Sequence, residues 1–474
     1  MKRFICAVTE IILLVVVPLA VSAADIPDPR TMSFPPLKFE IPKAERAVLD
    51  NGMVVYLMED HELPQVNITA YIGTGSIYEP AEKAGLAGLV GAVMRSGGTS
   101  AFPPEKINEE LEFMASSVES SIGGDVGNVS MSSLTKNFER TLAIFAHVLS
   151  SPAFREDKVE LARKQSIEAI RRQNDDPKEV ADRELTKAIY RGSPLGRFPT
   201  IATVKAITRA DLVEFHKKFY HPNNMMLGVA GDFTIPEMIA ALNRAFGGWR
   251  REPVEFPQVV GPNMEYKPEV LHVQKDVNQS VIRMGHIGID KNNPDLYAIR
   301  VMDAILGSGG FNSRLMSQVR TAQGLAYNVV SSFDIGRRFP GTFEAETETK
   351  AESTSKTVAL MEEIIAGMTE KPVSDQELKL AKDSIINSFI FGFTNTAAMA
   401  SQKVRLEYYG YPAGYLENYR DRISGVTKED VLRVAKKYLH PDKLILVVVG
   451  DSRKFDKPLS TFGSVGEVKL ENGK

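Results

Sequence analysis

Cysteine is all but missing from this chain: one in 474 residues, at Cys6. A disulfide framework is therefore excluded, and so is a catalytic thiol anywhere in the body of the protein. Histidine is also scarce. No two of the seven histidines stand four residues apart, so no single helix offers a pair of metal ligands on one face. His216 and His221 are five apart and point to different faces, while His221 and His440 each open a His-Pro break that reads as a structural turn. Charge of one sign is lacking too: 57 basic against 60 acidic residues leave a net charge of −3, with no like-charged run. That removes the electrostatic case for nucleic acid. There is no G-x-S-x-G elbow and no phosphate-binding G-x-x-x-x-G-K.

Long apolar runs are absent as well, except at the start. Lys2-Arg3, an apolar stretch from Ile11 to Val21 interrupted by Pro18, and Val21-Ser22-Ala23 read as a secretory signal over residues 1–23. A spanning helix needs about 20 apolar residues. Cys6 leaves with the leader, and a mature chain without cysteine or membrane segment suits the periplasm or full secretion.

What the chain does have is a repeat. Ile207 to Asp232 and Val426 to Asp451 align without a gap at an offset of 219 residues, sharing Thr208/Thr427, Asp211/Asp430, His221/His440 and the closing Gly-Asp. Each copy predicts a Thr-capped amphipathic helix, a His-Pro break and an apolar strand. Leu161-Ala162-Arg163 and Leu380-Ala381-Lys382 share the same offset. The fold expected is α+β, two tandem homologous halves enclosing a cleft or chamber. Boundaries fall at 24–252 and 269–474, joined by a Pro-rich linker over 253–268. Met225, Met226, Met316 and Trp249 read as packing residues. Arg171-Arg172 and Arg337-Arg338 read as solvated faces.

One segment of the second half carries candidate chemistry: LGSGGFNSRLMSQVRTAQGLAYNVVSS, Leu306 to Ser332. Gly307, Gly309 and Gly310 predict a tight loop, Ser313 a helix cap, Gly324 the end of that helix, and Tyr327 the start of a strand. Arg320 and Tyr327 then flank one helix-to-strand turn and can converge as donors on a carbonyl oxygen gaining negative charge. Taken alone, the same residues read more simply as an exposed arginine beside a half-buried tyrosine.

This segment resembles the C-half signature of the pitrilysin/insulinase-type peptidases, the inverted zincins that include processing peptidases. In that family an Arg and a Tyr seven residues apart bind substrate and stabilise the reacting carbonyl, and here they match Arg320 and Tyr327. The duplicated halves, the YHPNNMMLGVAGD and KYLHPDKLILVVVGD strands and the Arg171-Arg172 to Pro177 stretch are similar too. Active members carry H-x-x-E-H in the N-half. The matching positions here are Gly88, Gly91 and Ala92, and Ala169 stands where the third, glutamate ligand belongs.

Hydrogen and methyl side chains bind no metal. The resemblance therefore implies a chain that holds no zinc and is no peptidase alone, but half of a zinc-dependent endopeptidase. A homologous H-x-x-E-H-bearing subunit in a heterodimer would bring the zinc and the Glu base. This chain would bring Arg320 and Tyr327, with Gly307, Gly309 and Gly310 letting an extended peptide substrate approach as an added strand. The alternative is a catalytically inert structural or peptide-binding subunit.

Overall fold

The repeat becomes two six-stranded sheets that share the order of five strands and differ in the sixth, an edge strand drawn from the start of the first half and from the end of the second. The computed structural model describes residues 41–393 and 395–470; the leader assigned to residues 1–23, with Cys6, lies outside them. The first half supplies β1 (Glu45–Val48), β2 (Val54–Glu59), β3 (Gln65–Ile72), β4 (Ser117–Ile122), β5 (Gly127–Leu134) and β6 (Met225–Gly231), in the order β1-β2-β6-β3-β5-β4. The second supplies β7 (Glu269–Gln274), β8 (Gln279–Ile287), β9 (Ile289–Asp290), β10 (Ala326–Phe333), β11 (Ile335–Gly336), β12 (Thr342–Lys350), β13 (Ile445–Gly450) and β14 (Val465–Glu467). Their order is β10-β12-β8-β13-β7-β14, with β9 and β11 forming a small parallel pair. Ile68 pairs with Val229 across β3 and β6, and Ile282 pairs with Val448 across β8 and β13. Residues 249–268, between the sheets, contain no helix or strand.

Local chemistry repeats with the strands. The helices Arg209–Phe219 and Lys428–Tyr438 both begin in a capping box, Thr208 with Asp211 and Thr427 with Asp430. Each box satisfies two backbone N–H groups that a helix start leaves free. Arg163 donates to the Ile207 carbonyl at 2.9 Å, and Lys382 donates to the Val426 carbonyl at the same distance. The shared basic residue thus ties one helix to the entrance of the next in both copies.

Burial along the strands shows how the halves are joined. β3 alternates buried and half-buried residues, as a strand with one covered face should, but β13 is buried at every position. The extra cover on β13 and β8 comes from the other half. The helix Pro177–Ile189 lays Val180, Ala181, Leu185 and Ile189 against Val281, Ile445, Val447 and Val449. Reciprocally, the helix Thr396–Tyr408 lies on the first sheet, where Gly228 admits the Ala400 backbone; a Cβ on Gly228 would stand 3.1 Å from the Ala400 carbonyl carbon. Arg46 and Tyr56 hold its Glu407, with an Arg46 Nη2 to Oε1 distance of 2.8 Å. The two helices are themselves 219 residues apart, so each half lends the other the same element.

Loops complete the joint by the same rule. Tyr190, just after the first exchanged helix, donates to Pro340 O at 3.1 Å, and Tyr409, after the second, donates to Asp125 Oδ1 at 3.0 Å. Arg337 and Arg338 lie over the Tyr409 and Tyr408 rings, at 5.0 and 5.1 Å. Both arginines stay exposed, as expected of a loop face, and the tyrosines also give those cations a partner at the seam. No helix among the described residues is long and apolar enough to cross a membrane.

Candidate functional site

The segment singled out in the second half folds as a helix, a glycine turn, a second helix and an edge strand. The helix Leu296–Asp303 runs into a π-type turn, Ala304–Ser308. Its last residue, Asp303, is buried and accepts from Ser331 Oγ at 2.6 Å and from the Phe333 amide at 3.2 Å, which fastens β10 to the turn. Burial pushes the Asp303 carboxyl up, partly offset by the hydrogen bonds it accepts.

The three glycines assigned to substrate approach do different things. Gly307 is buried, and a Cβ there would fall on the Ser331 backbone; a Cβ on Gly309 would fall on the Ala304 carbonyl. The close approach at these two is by the protein's own chain. Gly310 alone faces open space, with φ +67°, a conformation that L side chains rarely take.

After Gly310 comes a single 3-10 turn, Gly310–Asn312, then a wide π-type helix, Met316–Ala322. Ser313 serves as its cap: its Oγ donates to Gly310 O at 2.8 Å and accepts from the Met316 amide at 3.4 Å. Gly324, at φ +62°, closes the helix by donating to Arg320 O at 2.9 Å. β10 then begins with a bulge between Ala326 and Val329. A bulge breaks the strand's alternation, and both Tyr327 and Asn328 end up exposed.

Arg320 and Tyr327 do meet. The guanidinium carbon of Arg320 lies 4.7 Å from the centroid of the Tyr327 ring. Tyr327 is 83% exposed, well beyond half-buried. Phe311, which the sequence reading passed over, lies equally close, its centroid 4.7 Å from the same carbon, and is 68% exposed. The only sequence signal for it was a large aromatic directly after three glycines in four residues. Arg314, six residues earlier, differs: its Nε donates to Glu377 Oε1 at 2.7 Å. Against burial, which favours the neutral acid, hydrogen bonds from Arg314 and Ser374 hold the Glu377 carboxyl down at about 2. Of the two arginines, one is committed to structure, and Arg320 keeps N–H donors directed at no carboxylate among the described residues.

The four positions matched to a zinc site occupy two adjacent helices, Leu86–Ser96 and Glu156–Arg172. Gly88, Ala92 and Ala169 are exposed, while Gly91 is buried under β4. A Cβ on Gly91 would stand 2.6 Å from the Ile122 amide nitrogen and 2.9 Å from the Ser121 carbonyl carbon. Ser120 Oγ seals the contact by donating to Gly91 O at 2.6 Å. Zinc does not fit these residues: the ligands are missing, and the space for a base is filled by backbone. Among the described residues no cluster of three histidine, cysteine or carboxylate side chains could hold a metal. The helix start itself is sound, because Glu79 accepts from the Gly85 and Ala87 amides at 2.9 Å.

Three of the histidines serve packing and turns, while His61 and His272 sit beside the carboxylates of Asp232 and Glu467. His216 Nε2 lies 2.9 Å from Leu149 O, and its ring stacks on Tyr220 with centroids 4.5 Å apart. His286 Nδ1 lies 2.8 Å from Ile287 O. Burial pushes both imidazoles down to about 4. His221 Nε2, 2.8 Å from Lys217 O, closes its helix as a turn residue.

Two family models match the chain in succession: Insulinase (Peptidase family M16) over residues 54–202, and Peptidase M16 inactive domain over residues 206–385. An uncharacterized zinc protease of Mycobacterium leprae is 25% identical over 400 residues, spanning 83% of this chain and 89% of its own. A non-peptidase homolog, YmxG, of Helicobacter pylori is 24% identical over 402 residues, 84% of this chain and 91% of its own. A crystal structure of a peptidase M16 inactive domain from Pseudomonas fluorescens matches with a TM-score of 0.78 at 26% identity, covering 86% of this chain and 98% of that one.

Proposed function

The chain belongs to the insulinase family of peptidases, M16, and from that premise we propose that it is the subunit without zinc in a two-chain peptidase, contributing Arg320 and Tyr327 to peptide binding and turnover. The observation that carries this reading is the state of Arg320. A half-buried arginine set against two exposed aromatic rings, with no carboxylate among the described residues to neutralise it, is arranged for a ligand rather than for stability. Its N–H groups and the Tyr327 hydroxyl suit a backbone carbonyl and the oxyanion that forms from it, at about 3 kcal/mol per donor.

Zinc and the general base are assigned to a homologous partner that carries H-x-x-E-H. Export to the periplasm or beyond, by the leader at residues 1–23, is part of the same proposal. β10 is an edge strand, so an extended peptide can pair with its open side next to Tyr327. The competing reading, an inert peptide-binding or structural subunit, draws on the non-peptidase name of the Helicobacter pylori relative.

The test is hydrolysis of oxidised insulin B chain by the mature protein, by its nearest H-x-x-E-H-bearing homologue, and by the two mixed. The expected result is turnover only in the mixture, falling on the order of a hundredfold with Arg320→Ala while the two chains still co-elute. Equal turnover with Arg320→Ala would leave the inert reading standing.

A further inference from the structure

We propose that Phe311 is a positioning residue for Arg320: its ring holds the guanidinium in place at the turn before β10, and the glycine run preceding it exists to present that ring. The proposal rests on the reading of Arg320 given above and adds a residue to it. Phe311 sits in the turn entering the π-type helix, and Tyr327 lies on the strand leaving it. Both rings lie 4.7 Å from the guanidinium carbon, so Arg320 is met by one ring from the turn before its helix and by one from the strand after it.

A phenylalanine left 68% exposed adds little to the core. The benzyl ring offers no hydrogen-bond acceptor, so it can restrain the guanidinium through its π face without consuming an N–H donor. A carboxylate partner would restrain the side chain too, but it would occupy those donors, as Glu377 does for Arg314. Holding a long, flexible side chain before the ligand arrives removes ordering that binding would otherwise have to supply.

The glycines fit this role. Gly307 lets the turn sit on Ser331, Gly309 folds it back on Ala304, and Gly310 takes the positive φ that turns the chain into Phe311. The run therefore sets the place of the ring relative to β10, where Tyr327 begins.

Two substitutions separate aromatic character from bulk. Phe311→Leu keeps an apolar side chain without a π face; Phe311→Tyr keeps the ring. In the mixed peptidase assay with oxidised insulin B chain, Phe311→Leu is expected to lower kcat about fivefold, the scale of an exposed cation–π contact. KM should move less, and Phe311→Tyr should keep wild-type turnover.

In the isolated chain, the ring-shifted NMR signal of the Arg320 Nε–H should move towards its free position in Phe311→Leu alone, with the melting temperature unchanged. Wild-type kcat in Phe311→Leu, in a mixture that Arg320→Ala inactivates, would overturn the proposal and leave the function of Arg320 intact. Equal losses in both Phe311 variants would also overturn it. Full turnover with Arg320→Ala would instead overturn the reading on which it rests.

Discussion

Two glycines three residues apart in the helix Leu86–Ser96 should respond to alanine in opposite directions. Gly88 is exposed and its added methyl meets nothing within 4 Å. Gly88→Ala therefore gains only the helical preference of alanine over glycine, about 0.5–1 kcal/mol of stability. Gly91 makes the same propensity gain but meets β4. Its Cβ would lie 2.6 Å from Ile122 N, 2.9 Å from Ser121 C and 3.0 Å from Ser121 Cα. All three obstacles are backbone, which cannot rotate away as a side chain can. Strand and helix must part by most of an ångström, straining the Ser120 bond to Gly91 O and the pairing of β4 with β5. Overpacking of this kind costs about 1–3 kcal/mol. The propensity gain cancels between them, so the two variants should differ by the overpacking cost, about 1–3 kcal/mol, Gly88→Ala above wild type and Gly91→Ala below it. Urea denaturation followed by circular dichroism measures this directly from the midpoints at unchanged slope. Equal midpoints would refute the claim that β4 occupies the space of the missing base. The consequence is chemical: a glutamate at position 91 would need β4 rebuilt around it.

Three further outcomes follow from the same geometry. His216 and His286 are neutral in the fold, held down to about 4 against 6.5 for a free imidazole. As pH falls below 6.5 the unfolded chain takes up protons that the folded chain refuses, so their stabilisation is complete above that value and is lost towards pH 4. The loss should reach about 2 kcal/mol for each by about pH 5, read as a fall in urea midpoint that shrinks when either is replaced by glutamine. Leu185→Ala, a first-half residue buried on the second sheet, should cost about 2–5 kcal/mol. Hydrogen exchange of β8 and β13 should report it, and faster exchange confined to the first sheet would refute the helix exchange. Gly88 and Ala92 are exposed and four residues apart on one helix, so Gly88→His, Ala92→His and Ala169→Glu together should let the chain retain zinc in equilibrium dialysis. That variant should still hydrolyse no peptide, because Gly91 supplies no base.

The repeat was legible because a one-dimensional offset survives where identity does not. Thr208 and Thr427 announce their helices through capping, a contact within three residues, and local contacts leave local patterns. The exchanged helices share the same offset, yet nothing in an amphipathic stretch says which of two equivalent sheets it covers. The residues that did carry that information were in the strands: an unbroken apolar run such as Ile445 to Val449 implies cover on both faces. The missing cover had to come from an element that its own half did not need. The candidate site divides in the same way. Arg320 and Tyr327 stood out as a pair flanking one helix-to-strand turn, but only the resemblance to the family gave them a role, and only that resemblance marked Gly88, Gly91, Ala92 and Ala169 as the positions where zinc ligands and a base are absent.

What the sequence could not disclose depended on contacts through space. Gly307 reads as a loop glycine until Ser331 is seen against it, and Phe311 reads as a stray aromatic until Arg320 is seen over it. The same limit explains Gly91. The family resemblance showed that a base was missing, but only the position of β4 shows that backbone lies where its side chain would begin. The helix and the edge strand are in contact at Gly91, while the turn at Arg320 leaves the large aromatic surface of Phe311 and Tyr327 in water. Stability alone favours burying Phe311 and Tyr327 and pairing Arg320. The exposure of the two rings around an arginine without a carboxylate among the described residues is the feature on which the proposed peptide ligand rests.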